Sequence, residues 1–238
     1  MTATATQPGL DLPAYCNQLA ERANAAATQL NAASGIAKVK ALHAVADRLL
    51  AAAEEIKSAN CRDVEAAKAA GLAPAMLDRL RLDDKRIKAM AQAVHEIADQ
   101  TDPVGQVIEG YVRPNGLRIQ KVRVPMGVIF FIYESRPNVT SDAAALCVKS
   151  GNAVILRGGK EAIHSNTTVV KLIRETLAAN GLPADAVQLV ETTDRAAVTE
   201  LVRMEGRIQL CIPDTNMWCA HTVKPSTTIA SSENAIIR

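Results

Sequence analysis

From Pro125 onward, short apolar runs alternate with amphipathic stretches, and this alternation restricts the fold more than any other feature. Residues 127–133 form a continuous apolar run, the pattern of a parallel strand covered on both faces. Residues 139–149 then read as a helix and 153–156 as a strand. Residues 162–180 read as a helix broken by Gly181, Leu182 and Pro183, and 186–190 as a third strand. Asp194 caps a helix to about Met204, and 207–212 is a fourth strand. Strict β/α alternation implies right-handed crossovers and a parallel, doubly wound, Rossmann-like sheet. Ligands of such sheets lie beyond the carboxyl ends of the strands.

Upstream the texture differs. Alanine, the best helix former, is dense in the first hundred residues. Asp11 with Pro13 starts a first helix, which Ser34 and Gly35 end near Ala33. A second opens at Ile36, with Ile36, Val39, Leu42, Val45, Leu49 and Ile56 on one face. Asn60 is placed as the cap of a short third helix ending at Gly71. Asp83 or Asp84 caps a fourth, with Ile87, Met90, Val94 and Ile97 aligned. After Asp102 and Pro103, residues 106–112 and 117–124 alternate like strands around Pro114, Asn115 and Gly116. That predicts a β-hairpin arm. The expected organisation is a helical part of the cofactor domain over 1–101, an arm over 102–124, a Rossmann-like core over 125–213 and a divergent tail over 214–238.

Length and composition narrow the function. At about 150 residues per domain, 238 residues make one or two domains with ample core. A net charge of +2 and 3% aromatics give no support for nucleic-acid or membrane-surface binding. Residues 1–9 lack the basic start and apolar run of a signal peptide, and no apolar stretch nears the roughly twenty residues of a membrane span. Five irregularly spaced cysteines are a poor disulfide framework and suit a reducing compartment, so a cytoplasmic protein is expected. The histidines (His43, His95, His164, His221) are far apart in sequence and no Cys-x-x-Cys occurs, so no metal is expected.

Two clusters carry chemistry. Residues 133–140, YESRPNVT, follow the first buried strand directly. Arg136 is suited to bidentate contact with a phosphate or carboxylate, and Asn138 to donating an amide N–H to a developing oxyanion. Pro137 and Asn138 read equally well as the start and cap of the next helix. Residues 151–161, GNAVILRGGKE, join a strand to a helix start through Arg157, Gly158, Gly159 and Lys160. Glycines admit a close ligand, basic residues pair with phosphate, and helix N-termini bind it. The turn is also ordinary βα punctuation, and the G-x-G-x-x-G fingerprint is absent. Cys147 reads as a small core residue, His164 as a surface one, and Glu54, Glu55, Glu96 and Asp99 as solvated helix faces.

Residues 124–166, VPMGVIFFIYESRPNVTSDAAALCVKSGNAVILRGGKEAIHSN, closely resemble the γ-glutamyl phosphate reductase (glutamate-5-semialdehyde dehydrogenase) family of the aldehyde dehydrogenase superfamily. The likeness extends upstream through 75–80 (AMLDRL) and 102–107 (DPVGQV) and downstream to about Pro213. It covers most of this chain but roughly the first half of a family member. It implies an aldehyde dehydrogenase-like fold and proline biosynthesis. In that reaction a cysteine thiolate attacks γ-glutamyl phosphate, NADPH reduces the thioester, and glutamate 5-semialdehyde and phosphate leave. By similarity, Asn138 matches the oxyanion amide, and Arg157 lies where a basic residue meets the cofactor's ribose and phosphate. Gly158 and Gly159 line the adenosine side and Lys160 adjoins them. Arg136 is a candidate for the substrate's anionic end on charge grounds.

The resemblance breaks after Pro213. The family continues with an Arg-Gly-Gly turn, and later an Arg-Pro-Ser-Thr run before the catalytic cysteine; here residues 214–219 read DTNMWC and 220–228 read AHTVKPSTT. Thr228 stands in the nucleophile's place, and a hydroxyl is a far poorer nucleophile than a thiolate. Neither Cys211 nor Cys219 sits in the motif. The expectation is a truncated or frame-disrupted, catalytically impaired reductase using NADPH/NADP. The alternatives are a non-catalytic module that binds NADP(H) or pairs with a full-length reductase or the proline-pathway kinase, and a non-functional fragment; a homo-oligomer is a further alternative arrangement.

Overall fold

The computed structural model describes residues 11–213 and the backbone of 228–229. The N-terminal nine residues, Trp218, Cys219, His221 and the side chain of Thr228 lie outside the described residues.

Helix α1 (Leu12–Ala32) starts where expected, with the Asp11 carboxylate accepting from the Ala14 N–H. Ser34 is the cap of α2 (Gly35–Ala51), accepting from the Ala37 N–H. Three expectations fail next. The apolar stripe does not run through one helix to Ile56, because the chain breaks at Ala52 and α3 (Ala53–Ala69) begins. Ile36, placed on the core face, is 83% exposed. Asn60 caps nothing: it is buried in the middle of α3. Its amide donates to the Leu80 carbonyl and the Ser165 hydroxyl and accepts from the Leu82 N–H. Asparagine is poor in a helix interior because its amide competes for backbone groups. Here it serves the backbone of another segment, the short helix α4 (Pro74–Leu80), which was not anticipated. Helix α5 (Asp84–Asp99) is capped by Asp83.

Strands β1 (Val107–Val112) and β2 (Arg118–Val122) form the expected antiparallel hairpin. Every residue of β1 is exposed, and Val107, Ile108, Tyr111, Val112 and Val122 show apolar surface.

The parallel sheet is built from β3 (Val128–Ile132), β4 (Ala153–Arg157), β5 (Val187–Leu189), β6 (Leu210–Ile212) and β7 (Thr228–Ile229), in the order β5-β4-β3-β6-β7. The fourth strand is shorter than expected, since a turn holds residues 204–207. Helices α6 (Pro137–Lys149), α7 (Ile163–Ala179) and α8 (Ala196–Val202) form the crossovers.

Successive side chains of a strand point to opposite faces. Ile129 and Tyr133 pack with α2, α5, α6 and α7, whereas Val128, Phe130 and Ile132 pack with α1 and residues of α8. The alanine-rich start of the chain is therefore part of the doubly wound unit, with α1 alone crossing to the second face.

Buried charge ties the layers. The Lys149 ammonium donates to the Ala98 carbonyl at 2.6 Å, and Lys38 donates to the Lys149 carbonyl and pairs with Asp102 at 3.1 Å. Burial alone would raise the Asp102 carboxyl, but the Val104 N–H and Lys38 hold it below the usual carboxylate range. Two histidines expected to be separate meet between α2 and α5. His43 Nδ1 and His95 Nδ1 are 2.8 Å apart, so one ring donates and the other accepts.

Candidate functional site

Strand β3 is followed by β4 on one side and has β6 on the other, so the strand order reverses between β3 and β6. Open parallel sheets bind ligands at the carboxyl side of such a reversal. Both sequence clusters lie at that end: YESRPN after β3 and RGGKE after β4.

Arg157 is the last residue of β4 and is 8% exposed. Its Nη1 donates to the Gly158 carbonyl and its Nη2 to the Thr193 carbonyl at 3.2 Å, so it braces the loops after β4 and β5. Its Nε is buried without a described partner. Burial, the largest influence, pulls the guanidinium below its ordinary range.

Gly158 is buried against Asn166 and the Tyr133 ring, and a Cβ there would lie 2.3 Å from Asn166 Nδ2. Gly159 is held as closely by Ser135, whose hydroxyl donates to Glu161 at 2.5 Å. The glycines let the two loops touch. Lys160 is exposed at the tip of the turn and makes no recorded pairing among the described residues.

The start of α7 is not free to hold an anion. Asp63 of α3 accepts from the His164 and Ser165 N–H groups at 3.1 and 2.7 Å, and from the Ser165 hydroxyl at 2.6 Å. An internal carboxylate has thus taken two of the first N–H groups of α7, which leaves fewer for a phosphate at this turn.

After β3, Pro137 is the first residue of α6, and the cap position is held by Arg136, whose side chain makes no capping hydrogen bond. Asn138 is exposed in the first turn, its amide 3.5 Å from Asp142 Oδ2. Burial raises the Asp142 carboxyl, and its Oδ1 is unpartnered. Arg136 is exposed, with Nε 3.8 Å from Glu134. Beneath them Tyr133 Oη and Thr140 Oγ1 are 2.7 Å apart, and Thr140 donates to Asn166 Oδ1 at 2.9 Å. Sequence reading passed over this relay because its members lie 33 residues apart and look like ordinary core polar residues.

Four cysteines lie among the described residues. Cys16, Cys147 and Cys211 are buried, and burial pushes their thiols up to about 11, about 12 and about 12. Cys61 is exposed on α3, where a hydrogen bond to Glu65 raises its thiol. High pKa and burial both suppress thiolate chemistry. Brief iodoacetamide treatment at pH 7.5, mapped by peptide mass, is expected to label Cys61 well ahead of Cys16, Cys147 and Cys211. Fast labelling of a buried three would contradict this packing. Among the described residues no group of three or more His, Cys, Asp or Glu is placed to hold a metal ion.

The aldehyde dehydrogenase family model matches residues 11–209. The chain belongs to the aldehyde dehydrogenase family. A gamma-glutamyl phosphate reductase of Rhodopirellula baltica is 51% identical over 203 residues, covering 85% of this chain and 47% of that protein. The solved gamma-glutamyl phosphate reductase of Thermotoga maritima is 42% identical with a TM-score of 0.81, covering 83% of this chain and 48% of its own. That of Saccharomyces cerevisiae is 35% identical with a TM-score of 0.77, covering 84% and 51%. This aldehyde dehydrogenase chain thus spans about half the length of the relatives it matches. The family's enzymes use nicotinamide cofactors. Among the described residues no helix is long and apolar enough to cross a membrane.

Proposed function

We propose that this chain forms the nicotinamide-cofactor side of a γ-glutamyl phosphate reductase. The whole reaction is reduction of γ-glutamyl phosphate by NADPH to glutamate 5-semialdehyde, inorganic phosphate and NADP. The reading rests on 51% identity to such a reductase, with the ESRPN and RGGKE loops together at the strand-order reversal.

The residues present suit a dinucleotide. Two buried donors lack described partners at the end of β4, Arg157 Nε and Asn166 Nδ2, and Lys160 stands exposed beside them. Lys160 is assigned to a cofactor phosphate and Arg157 to ribose and phosphate, which requires the loop after β4 to shift and uncover its buried Nε. Gly158 and Gly159 are assigned to the adenosine side. A bound nicotinamide supplies the hydride. Asn138 is assigned to the oxyanion and Arg136 to the substrate's anionic end. Asn138 would have to turn its amide from Asp142 toward the crevice.

A second reading, a non-catalytic NADP(H)-binding module, is favoured by one observation: none of the described cysteines is an accessible, low-pKa thiol. The exposed apolar hairpin suits self-association, and the proline-pathway kinase is a further partner to test. Free thiols and amino-acid biosynthesis suit the cytoplasm.

NADPH fluorescence titrated with the full chain tests both readings. Saturable binding is expected, and Lys160→Ala should weaken it about three- to tenfold, as for one partly exposed charge-assisted contact. Absence of binding at millimolar NADPH would refute the assignment.

A further inference from the structure

Of the charged cluster beside the loop after β3, these assignments use Arg136 alone. Arg79, on α4, extends to Glu134 in the loop after β3, with Nη1 3.6 Å from Oε2. Arg136 approaches the same oxygen, with Nε at 3.8 Å. Two guanidinium groups from segments more than fifty residues apart thus flank one carboxylate. Both separations exceed a direct hydrogen bond, so these contacts leave the planar N–H forks open. The side chains are 55% and 47% exposed and accessible to a solute. Ordinary surface ion pairs contribute little to stability, so stability is a weak reason for this convergence.

The delivery of Arg79 is built. A seven-residue helix does not hold itself in water. Here Leu80 is fully buried, and Asn60 grips the Leu80 carbonyl on one side of Arg81 and the Leu82 N–H on the other. Arg79, one residue before that anchor, is held toward the loop. The other carboxylate nearby, Glu161, is engaged by Ser135.

We infer that Arg79 is an anion-binding residue which, with Arg136, holds a phosphoryl group at the mouth of the crevice in exchange for Glu134. The inference rests on the reductase reading for the source of the group, either the acyl phosphate or the cofactor's 2′-phosphate. The chemistry is the same for both: a compact dianion presents several oxygens to two forks, whereas both arginines approach Glu134 at the same oxygen.

Inorganic phosphate titrated into the full chain, followed by 31P line width, tests it. Saturable broadening is expected, with the dissociation constant raised about fivefold or more by Arg79→Ala. Arg79→Lys should recover only part, since it restores charge without the fork. Glu134→Gln should tighten binding by removing the competing anion. Both arginines are exposed, so unchanged circular dichroism and melting are expected in these variants. Parallel NADPH and NADH titrations separate the sources. If Arg79→Ala weakens NADPH alone, the group is the 2′-phosphate; if it alters neither, the group is the acyl phosphate. Phosphate binding equal in wild type and Arg79→Ala, or none in wild type, overturns the inference. If NADPH binds while that occurs, the reductase reading survives. If NADPH does not bind but phosphate depends on Arg79, the reductase reading fails and the anion site stands.

Discussion

Asp63→Ala is expected to lower stability by roughly 3 kcal/mol, the cost of removing a charged acceptor from buried donors. At this chain length that is a fall in melting temperature of roughly 6–12 °C. Asp63 is 2% exposed and receives the first N–H groups of α7 together with the Ser165 hydroxyl. The Ser165 N–H and hydroxyl are buried and would be left without that acceptor, whereas the His164 N–H lies nearer the surface. Ser165 would also lose its acceptor while still receiving the Asn60 amide, so α3, α4 and α7 would loosen together. Asp63→Asn keeps an acceptor and should cost about 1 kcal/mol. Urea unfolding followed by far-UV circular dichroism, with an unchanged m-value, is the measurement. A loss below about 1 kcal/mol for the alanine variant would show that the α7 start is satisfied by other means.

Gly158→Ala is expected to cost about 2 kcal/mol, within the range for forcing a methyl group into filled space, and to weaken NADPH binding on the order of tenfold. The new Cβ would lie 2.3 Å from Asn166 Nδ2 and 3.1 Å from the Tyr133 ring. Asn166 cannot simply withdraw, because Thr140 holds its Oδ1 and Tyr133 holds Thr140. The displaced element is therefore the Arg157–Gly159 loop, which carries the proposed cofactor contacts. Removing the obstructing amide with Asn166→Ala in the Gly158→Ala background should recover part of both losses. The coupling energy of that double-mutant cycle is the quantity to measure. Additive losses would mean that the glycine is needed for a reason other than this contact.

Much of the architecture was legible in the residues because the relevant forces are local or periodic. The apolar run over Val128–Ile132, short and rich in β-branched and aromatic residues, reads as a strand covered on both faces, as in parallel α/β sheets. Asp11 and Asp83 start helices because a short polar side chain reaches an N–H three residues ahead, and Ser34, read as the end of α1, does the same for α2. The same rule misplaced Asn60, because an asparagine that caps a helix and one that grips a distant backbone look alike in a string of letters. The break at Ala52 was equally invisible: alanine favours helix, and no glycine or proline marks the interruption.

The sequence alone determined the alternating elements, their approximate bounds, the two polar loops after β3 and β4, and the resemblance to a reductase family. Periodicity, capping and turn chemistry act over a few residues and need no partner from elsewhere. Only the tertiary structure decided which groups within those loops are available. It buried Arg157 as a brace, exposed Lys160, closed the α7 start with Asp63 and brought Arg79 beside Arg136. Those outcomes depend on contacts between residues separated by about 35 to 100 positions in the chain. Hydrogen bonding and charge act over a few ångströms of space, whatever the distance along the sequence.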